Sequence, residues 1–189
     1  VRCFLALPVD IETEEALSTL QDELQVGRLV DAQGFHITLA FLDEQDDDTL
    51  ARLHEELCLL DLSSVAPQIV GLQVDSAATP HLLWASLAET TDLRRIQRAV
   101  AGAVESVDIT LPRRRFRPHI TLSRFGRRLP EEAHAKIARF LGRFAAFQHD
   151  LGPIDRLVLY RSDLTPDGAI YTELADYALQ SRPDEGVLT

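Results

Sequence analysis

Apolar residues recur along this chain with two alternating periods, one of about two residues and one of about 3.6. "RCFLALPV" is a short apolar run closed by Pro8 and predicts a strand. "DIETEEALSTLQDELQ" opens with acids and carries Ile11, Ala16, Leu20 and Leu24 at helical spacing, with Leu17 beside them, so it predicts a helix. "GFHITLAFLDE" alternates and is rich in β-formers, whereas "DDDTLARLHEELCLLD" sets Leu50, Leu53, Leu57 and Leu60 along one helical stripe. Two strands follow, "PQIVGLQVDS" and "HLLWASLAE", joined by a turn around Thr79-Pro80. "TDLRRIQRAVAGAVESV" predicts a helix capped by Thr91 or Asp92, with Leu93, Ile96, Val100 and Val104 inward. "FRPHITLSRF" is a further strand, and Pro118 implies that it begins at a sheet edge. "PEEAHAKIARFLGRF" is a helix with Pro130 near its first turn, and "IDRLVLYRSDLTPDGAIYTELADYAL" is a long hairpin about the turn "TPDG". The polar tail "SRPDEGVLT" is expected to fray.

No Gly- or Ser-rich linker divides the 189 residues, so residues 1–180 are expected to form one domain, followed by the tail at 181–189. The chain does contain an internal echo. "HITL" occurs at His36 and again at His119, 83 residues on, and each copy lies between two predicted helices. One such pair is too few for a solenoid. It suggests an old duplication that gave two pseudo-symmetric lobes with a cleft between them. Strands that often follow each other directly place the fold in the α+β class, with largely antiparallel sheets and outer helices.

Composition narrows the function. No apolar run approaches the roughly 18 residues of a membrane helix, and "VRCFLALPVD" lacks the features of a secretory signal, so no membrane partner is expected. Cys3 and Cys58 make neither a disulfide framework nor a CxxC pair, and both are expected to be buried thiols in a reducing cytoplasm. A net charge of −11 argues against broad coating of nucleic acid. Yet 18 of the 19 basic residues are Arg, and seven of them crowd into "RRRFRPHITLSRFGRR" around the second HITL. Arg runs are most often solvated loops. This one encloses a motif, which favours a local anion site, since the planar guanidinium forks onto phosphate.

In a strand, residues i and i+2 share a face. His36 and Thr38 therefore project together while Ile37 and Leu39 face the core, and His119 and Thr121 repeat this above Ile120 and Leu122. A single His-x-Thr in a strand is usually structural. Two identical copies, one amid arginines, point instead to one site with two imidazoles and two hydroxyls. Opening a five-membered cyclic phosphate with water needs a base for the water and an acid for the departing oxygen. Imidazole, with a reference pKa near ~6.5, serves either role. The Thr hydroxyls can donate to non-bridging phosphate oxygens, and Arg124 can balance the charge that builds there. Strand alternation puts Arg124 on the parity of Leu122, so it reaches this face only past a bulge or by turning its stem around the edge.

The other histidines, His54, His81, His134 and His149, lack metal-ligand spacing; His54 and His134 are read as exposed helix positions and His149 as leading into a loop. A zinc site from His36, His119 and a carboxylate is the metal alternative. There is no GxGxxG, Walker or GxSxG motif. Trp84 reads as core or cleft wall before base platform.

With these residues the sequence resembles the two-histidine (2H) phosphoesterase superfamily, and within it the RNA 2',3'-cyclic phosphodiesterases, also called 2'-5' RNA ligases. "RCFLALPV", "FHITLAFL", "HLLWASL", "FRPHITLSR" and the closing hairpin carry the resemblance over nearly the whole chain. It implies a bilobal α+β fold and hydrolysis of RNA 3' ends or nucleotides bearing a 2',3'-cyclic phosphate to the 2'-phosphate, without metal or cofactor, by a monomer. It also implies that His36 is the proton donor and His119 the proton acceptor, with Thr38, Thr121 and Arg124 on the phosphate; the residues alone leave open which imidazole does which. Three rivals stand beside it: 2'-5' ligation by reversal, a non-catalytic RNA- or nucleotide-binding module, and action on other ligands such as 2'-5' linked oligonucleotides or a cyclic ADP-ribose phosphate. Adenylate-type ligation fits poorly, because the one Lys, Lys136, lies in a helix.

Overall fold

The computed structural model describes residues 1–166 and 168–181. Asp167 of the TPDG turn and all of the predicted tail beyond Ser181 lie outside the described residues.

Alternation produces strands where expected: β1 (Arg2–Pro8), β3 (His36–Glu44), β4 (Gln68–Val74), β5 (Leu82–Leu87), β6 (His119–Arg124) and the closing hairpin β8 (Arg156–Thr165) with β9 (Gly168–Ala178). Two strands of two residues each, β2 (Arg28–Leu29) and β7 (His149–Asp150), carried no period to reveal them. The helices are α1 (Ile11–Leu24), α2 (Asp47–Cys58), α3 (Thr91–Ser106) and α4 (Glu131–Phe144). Asp10 and Asp46 cap the first two by accepting from the amides of Thr13 and Thr49. For α3 the cap is Thr90, one residue before the expected pair, because its hydroxyl accepts from the Leu93 amide.

All strand pairs of the two sheets are antiparallel, in the orders β3-β1-β8-β9 and β2-β6-β5-β4-β7. This is the expected α+β class, but the lobes are not the two halves of the sequence. The first sheet takes β1 and β3 from the beginning of the chain and β8 and β9 from its end. The helices cross over as well: α1 packs on β6 and α4, while α3 packs on β3 and α2. A residue from one half thus supports a motif in the other. Gln21 on α1, nearly fully buried, donates to the carbonyls of Val30 and Leu122, and Ser123 Oγ donates to Val26 O. These bonds fasten residues 26–30 along β6.

Three local expectations change. The buried face of α1 runs through Thr13, Leu17, Leu20, Gln21 and Leu24, whereas Ile11 is 71% exposed. Thr13 holds the inward place because its hydroxyl bonds both Asp10 and His149. Cys3 is buried as expected, but Cys58 is exposed, since one residue past Leu57 the helix has turned it off the buried stripe. His134 is half-buried, over the Pro130 carbonyl.

Pro118 fits its reading. At the His119 end β6 pairs with β5 alone, because β2 reaches only Ser123 and Arg124.

Candidate active site

Two copies of one local structure form the site. In β3, Ile37 and Leu39 are buried under half-buried His36 and Thr38; in β6, Ile120 and Leu122 are buried under half-buried His119 and Thr121. Alternation then breaks at the same place in both. β1 pairs Ala6 with Thr38 and Leu5 with Ala40, skipping Leu39, and β5 pairs Trp84 with Thr121 and Leu83 with Ser123, skipping Leu122. Each is a one-residue β-bulge, a device that re-aims the side chains after it. Leu39-Ala40 and Leu122-Ser123 are accordingly both buried, and the next residue emerges on the polar face. That residue is Phe41 in the first copy and Arg124 in the second. The bulge resolves the parity problem at Arg124.

The imidazoles are held alike. His36 Nδ1 lies 2.7 Å from the Gly34 carbonyl oxygen, and His119 Nδ1 lies 2.8 Å from that of Arg117. A carbonyl can only accept, so each ring carries its proton on Nδ1 and keeps Nε2 free of that bond. The residues between, Phe35 and Pro118, are buried and anchor the two short loops.

Their surroundings differ. Phe4, Tyr171 and Tyr160 enclose His36, with ring centroids 4.8, 5.2 and 6.1 Å away. The His36 pKa is pushed down to about 4, chiefly by burial; the Gly34 carbonyl opposes this, and the charges of His119 and Arg124 add to it. The strands that carry the two motifs, β3 and β6, contact each other across the sheets. His119 is more open and meets Trp84, whose ring centroid is 5.7 Å away. Trp84 is half-buried and its indole N–H donates to Ser86 Oγ.

The seven clustered arginines do not converge. Arg124 lines the cavity beside the site, and Arg115 is turned to Glu89 at 3.1 Å. The remaining histidines have local partners: His54 meets Tyr177 Oη at 3.0 Å, His81 meets Asp75 at 3.1 Å and His149 meets Thr13 at 3.1 Å. Among the described residues no group of three His, Cys, Asp or Glu gathers as metal ligands, and no helix is long and apolar enough to cross a membrane. Sequence reading missed Phe4, Tyr160 and Tyr171, which come together only in the folded sheet. It also missed Phe41, which the alignment of "HITLAF" with "HITLSR" could have disclosed.

The family model of the 2'-5' RNA ligase superfamily matches residues 7–166. An RNA 2',3'-cyclic phosphodiesterase of Archaeoglobus fulgidus is 25% identical over 178 residues, which cover 92% of this chain and 98% of that protein. One of Geobacillus stearothermophilus is 29% identical over 191 residues, covering 96% of this chain and 58% of that protein. Among solved structures, TT0787 of Thermus thermophilus superposes with a TM-score of 0.77 at 24% identity, covering 97% of this chain and 100% of that one. E. coli LigT in its apo form gives 0.73 at 20% identity, covering 95% and 97%. These two structures share the fold of the chain.

Proposed function

Since the chain belongs to the 2'-5' RNA ligase superfamily, we propose that it is an RNA 2',3'-cyclic phosphodiesterase, hydrolysing cyclic phosphate ends of RNA or nucleotides to the 2'-phosphate. Six relatives carrying that name, at 24–29% identity over most of the chain, support the reaction class. The pair of Nδ1-locked imidazoles on the contacting strands β3 and β6 carries the reading.

Chemically, water attacks phosphorus and gives a proton to His119 Nε2. The bond from phosphorus to the 3' oxygen breaks, and that oxygen takes the proton on His36 Nε2. Thr38 and Thr121 donate to the non-bridging oxygens, and Arg124 balances their growing charge. Both rings then return to their starting states by exchange with solvent. His36, desolvated and neutral when the cleft is empty, receives its proton together with the phosphate anion. The more open His119 is the ring with access to water. All five side chains come from one chain, so a monomer suffices. The free thiols of Cys3 and Cys58 suit the cytoplasm.

Product analysis tests the reaction. With EDTA present, a nucleoside 2',3'-cyclic phosphate should yield the 2'-phosphate alone, and His36→Ala or His119→Ala should each cost about a hundredfold or more in kcat. Full activity in the double variant would refute the assignment. Ligand binding retained without any turnover in the wild type would favour a binding module.

A further inference from the structure

Beside the histidines the cleft opens into a cavity of about 620 Å³, a size that takes one nucleotide. Neither histidine lines it, but its wall touches His36 through the Gly34 carbonyl and the rings of Phe4 and Tyr171. The cavity therefore adjoins the reaction centre and has room for a part of the substrate that does not react. Arg2, Arg28 and Arg124 line it, along with Phe41, which is 59% exposed.

Arg28 and Arg124 stand directly opposite each other in the β2–β6 pair. Opposed residues share a face with Cβ atoms about 5 Å apart, and like charges so placed destabilise the sheet. Among the described residues no carboxylate lies within ion-pair distance of either one. Asp31 on the same wall accepts from the Gln33 amide, and Asp43 lines the wall as well. The position is also fixed: Val30 N donates to Leu122 O at 3.0 Å, Gln21 bridges the same two residues, and the β8–β9 turn borders the Arg28 stem. Among the described residues, this acidic protein thus sets two arginines without an ion-pair partner on one wall of a nucleotide-sized cavity. An anion set against both relieves the repulsion.

We propose that Arg28 binds a second phosphate of the substrate, the one esterified to the 5' oxygen of the nucleotide whose cyclic phosphate is opened. This rests on the reaction assigned above. The cyclic phosphate closes the 3' end, so any further phosphate lies on the 5' side. With Arg124 at the reacting phosphate, its cross-strand neighbour Arg28 on the same cavity wall faces the next one, and Phe41 offers an apolar face to the intervening sugar or base. The preferred substrate then carries a phosphate on its 5' oxygen, as the end of an RNA strand does and a nucleoside with a free 5' hydroxyl does not.

Three substrates test this at low ionic strength: a nucleoside 2',3'-cyclic phosphate with a free 5' hydroxyl, its 5'-phosphorylated form, and a dinucleotide ending in the same cyclic phosphate. The wild type should favour the last two by about tenfold in kcat/KM, mainly through KM. Arg28→Gln should bring that ratio near unity, and Arg28→Lys, which keeps the charge without the fork, should give an intermediate ratio. The preference should also shrink as salt rises, because Arg28 is exposed. A wild type indifferent to the 5' phosphate, or a loss in Arg28→Gln that is equal for all three substrates, overturns the inference and leaves the reaction intact. Hydrolysis of none of the three by the wild type overturns the reaction itself, and the inference with it.

Discussion

His36 is enclosed by three aromatic rings and titrates near pH 4 in the empty cleft, well below an ordinary imidazole. As the proposed proton donor, His36 must carry its proton in the productive complex, so the bound anion has to supply the missing affinity. One negative charge about 4 Å away contributes roughly 4 kcal/mol at an effective dielectric constant of ~20, which is about three pH units. That lifts His36 from about 4 to near neutrality. Linkage then requires anion binding to take up a proton at His36 between those values, so the ring should favour binding at pH 5 over pH 8 by roughly eighty-fold. Sulfate is the suitable probe, because it stays doubly charged across this range and is not turned over. Calorimetric titration of sulfate into the wild type and into His36→Gln isolates the contribution of this ring from those of its neighbours. The wild-type affinity should steepen with falling pH by tens-fold more than that of the variant. Nitrogen-detected NMR should find His36 neutral, with its proton on Nδ1, down to about pH 5 without sulfate. A free-protein midpoint at or above the ordinary imidazole value, or equal pH slopes in the two proteins, would refute the reasoning.

Two further outcomes concern stability. Because the folded protein holds the His36 pKa below its unfolded value, the unfolded chain binds more protons between roughly pH 6.5 and 4; stability from this ring is complete above that window and falls by about 3 kcal/mol across it. Denaturant unfolding at several pH values should therefore show a shallower acid loss in His36→Gln, and identical pH slopes would contradict the burial argument. Gly27 has φ +77, and a Cβ there would lie 2.5 Å from Phe125 Cδ1 and 2.7 Å from Arg124 O. Gly27→Ala should cost about 3 kcal/mol and lower Tm on the order of 10 °C, with a loss of activity as the Arg124 bulge shifts; an unchanged Tm would show that this approach of the chain to β6 is loose.

The paired motif was legible because its signal is local. Strand alternation alone sets His36 beside Thr38 and His119 beside Thr121, with Ile37 and Ile120 beneath. The element types were legible for the same reason, since helical and strand periods persist over six residues or more. Features fixed by distant partners left no such trace. β2 exists because Ser123 and Gln21 hold residues 26–30 on β6, across some hundred residues of chain. The crossing of α1 and α3 to opposite sheets is likewise decided by packing, which an internal repeat cannot report.

The twin bulges lie between these cases. A repeat of four residues was visible, but the structural repeat is six; its last two positions differ, and only the sixth of them is exposed. Given the same bulge and the same aim into the cleft, one lobe presents Phe41 and the other Arg124. A duplicated scaffold would bind a symmetric ligand equally from both sides. A cyclic phosphate ester is not symmetric: one flank is the ionic phosphate and the other is sugar and base. Divergence at this exposed position, with aromatic enclosure of His36 and openness at His119, makes two similar copies unequal. The asymmetry that chemistry requires of its acid and base thus resides in what surrounds the repeat, while the repeat itself stays the same.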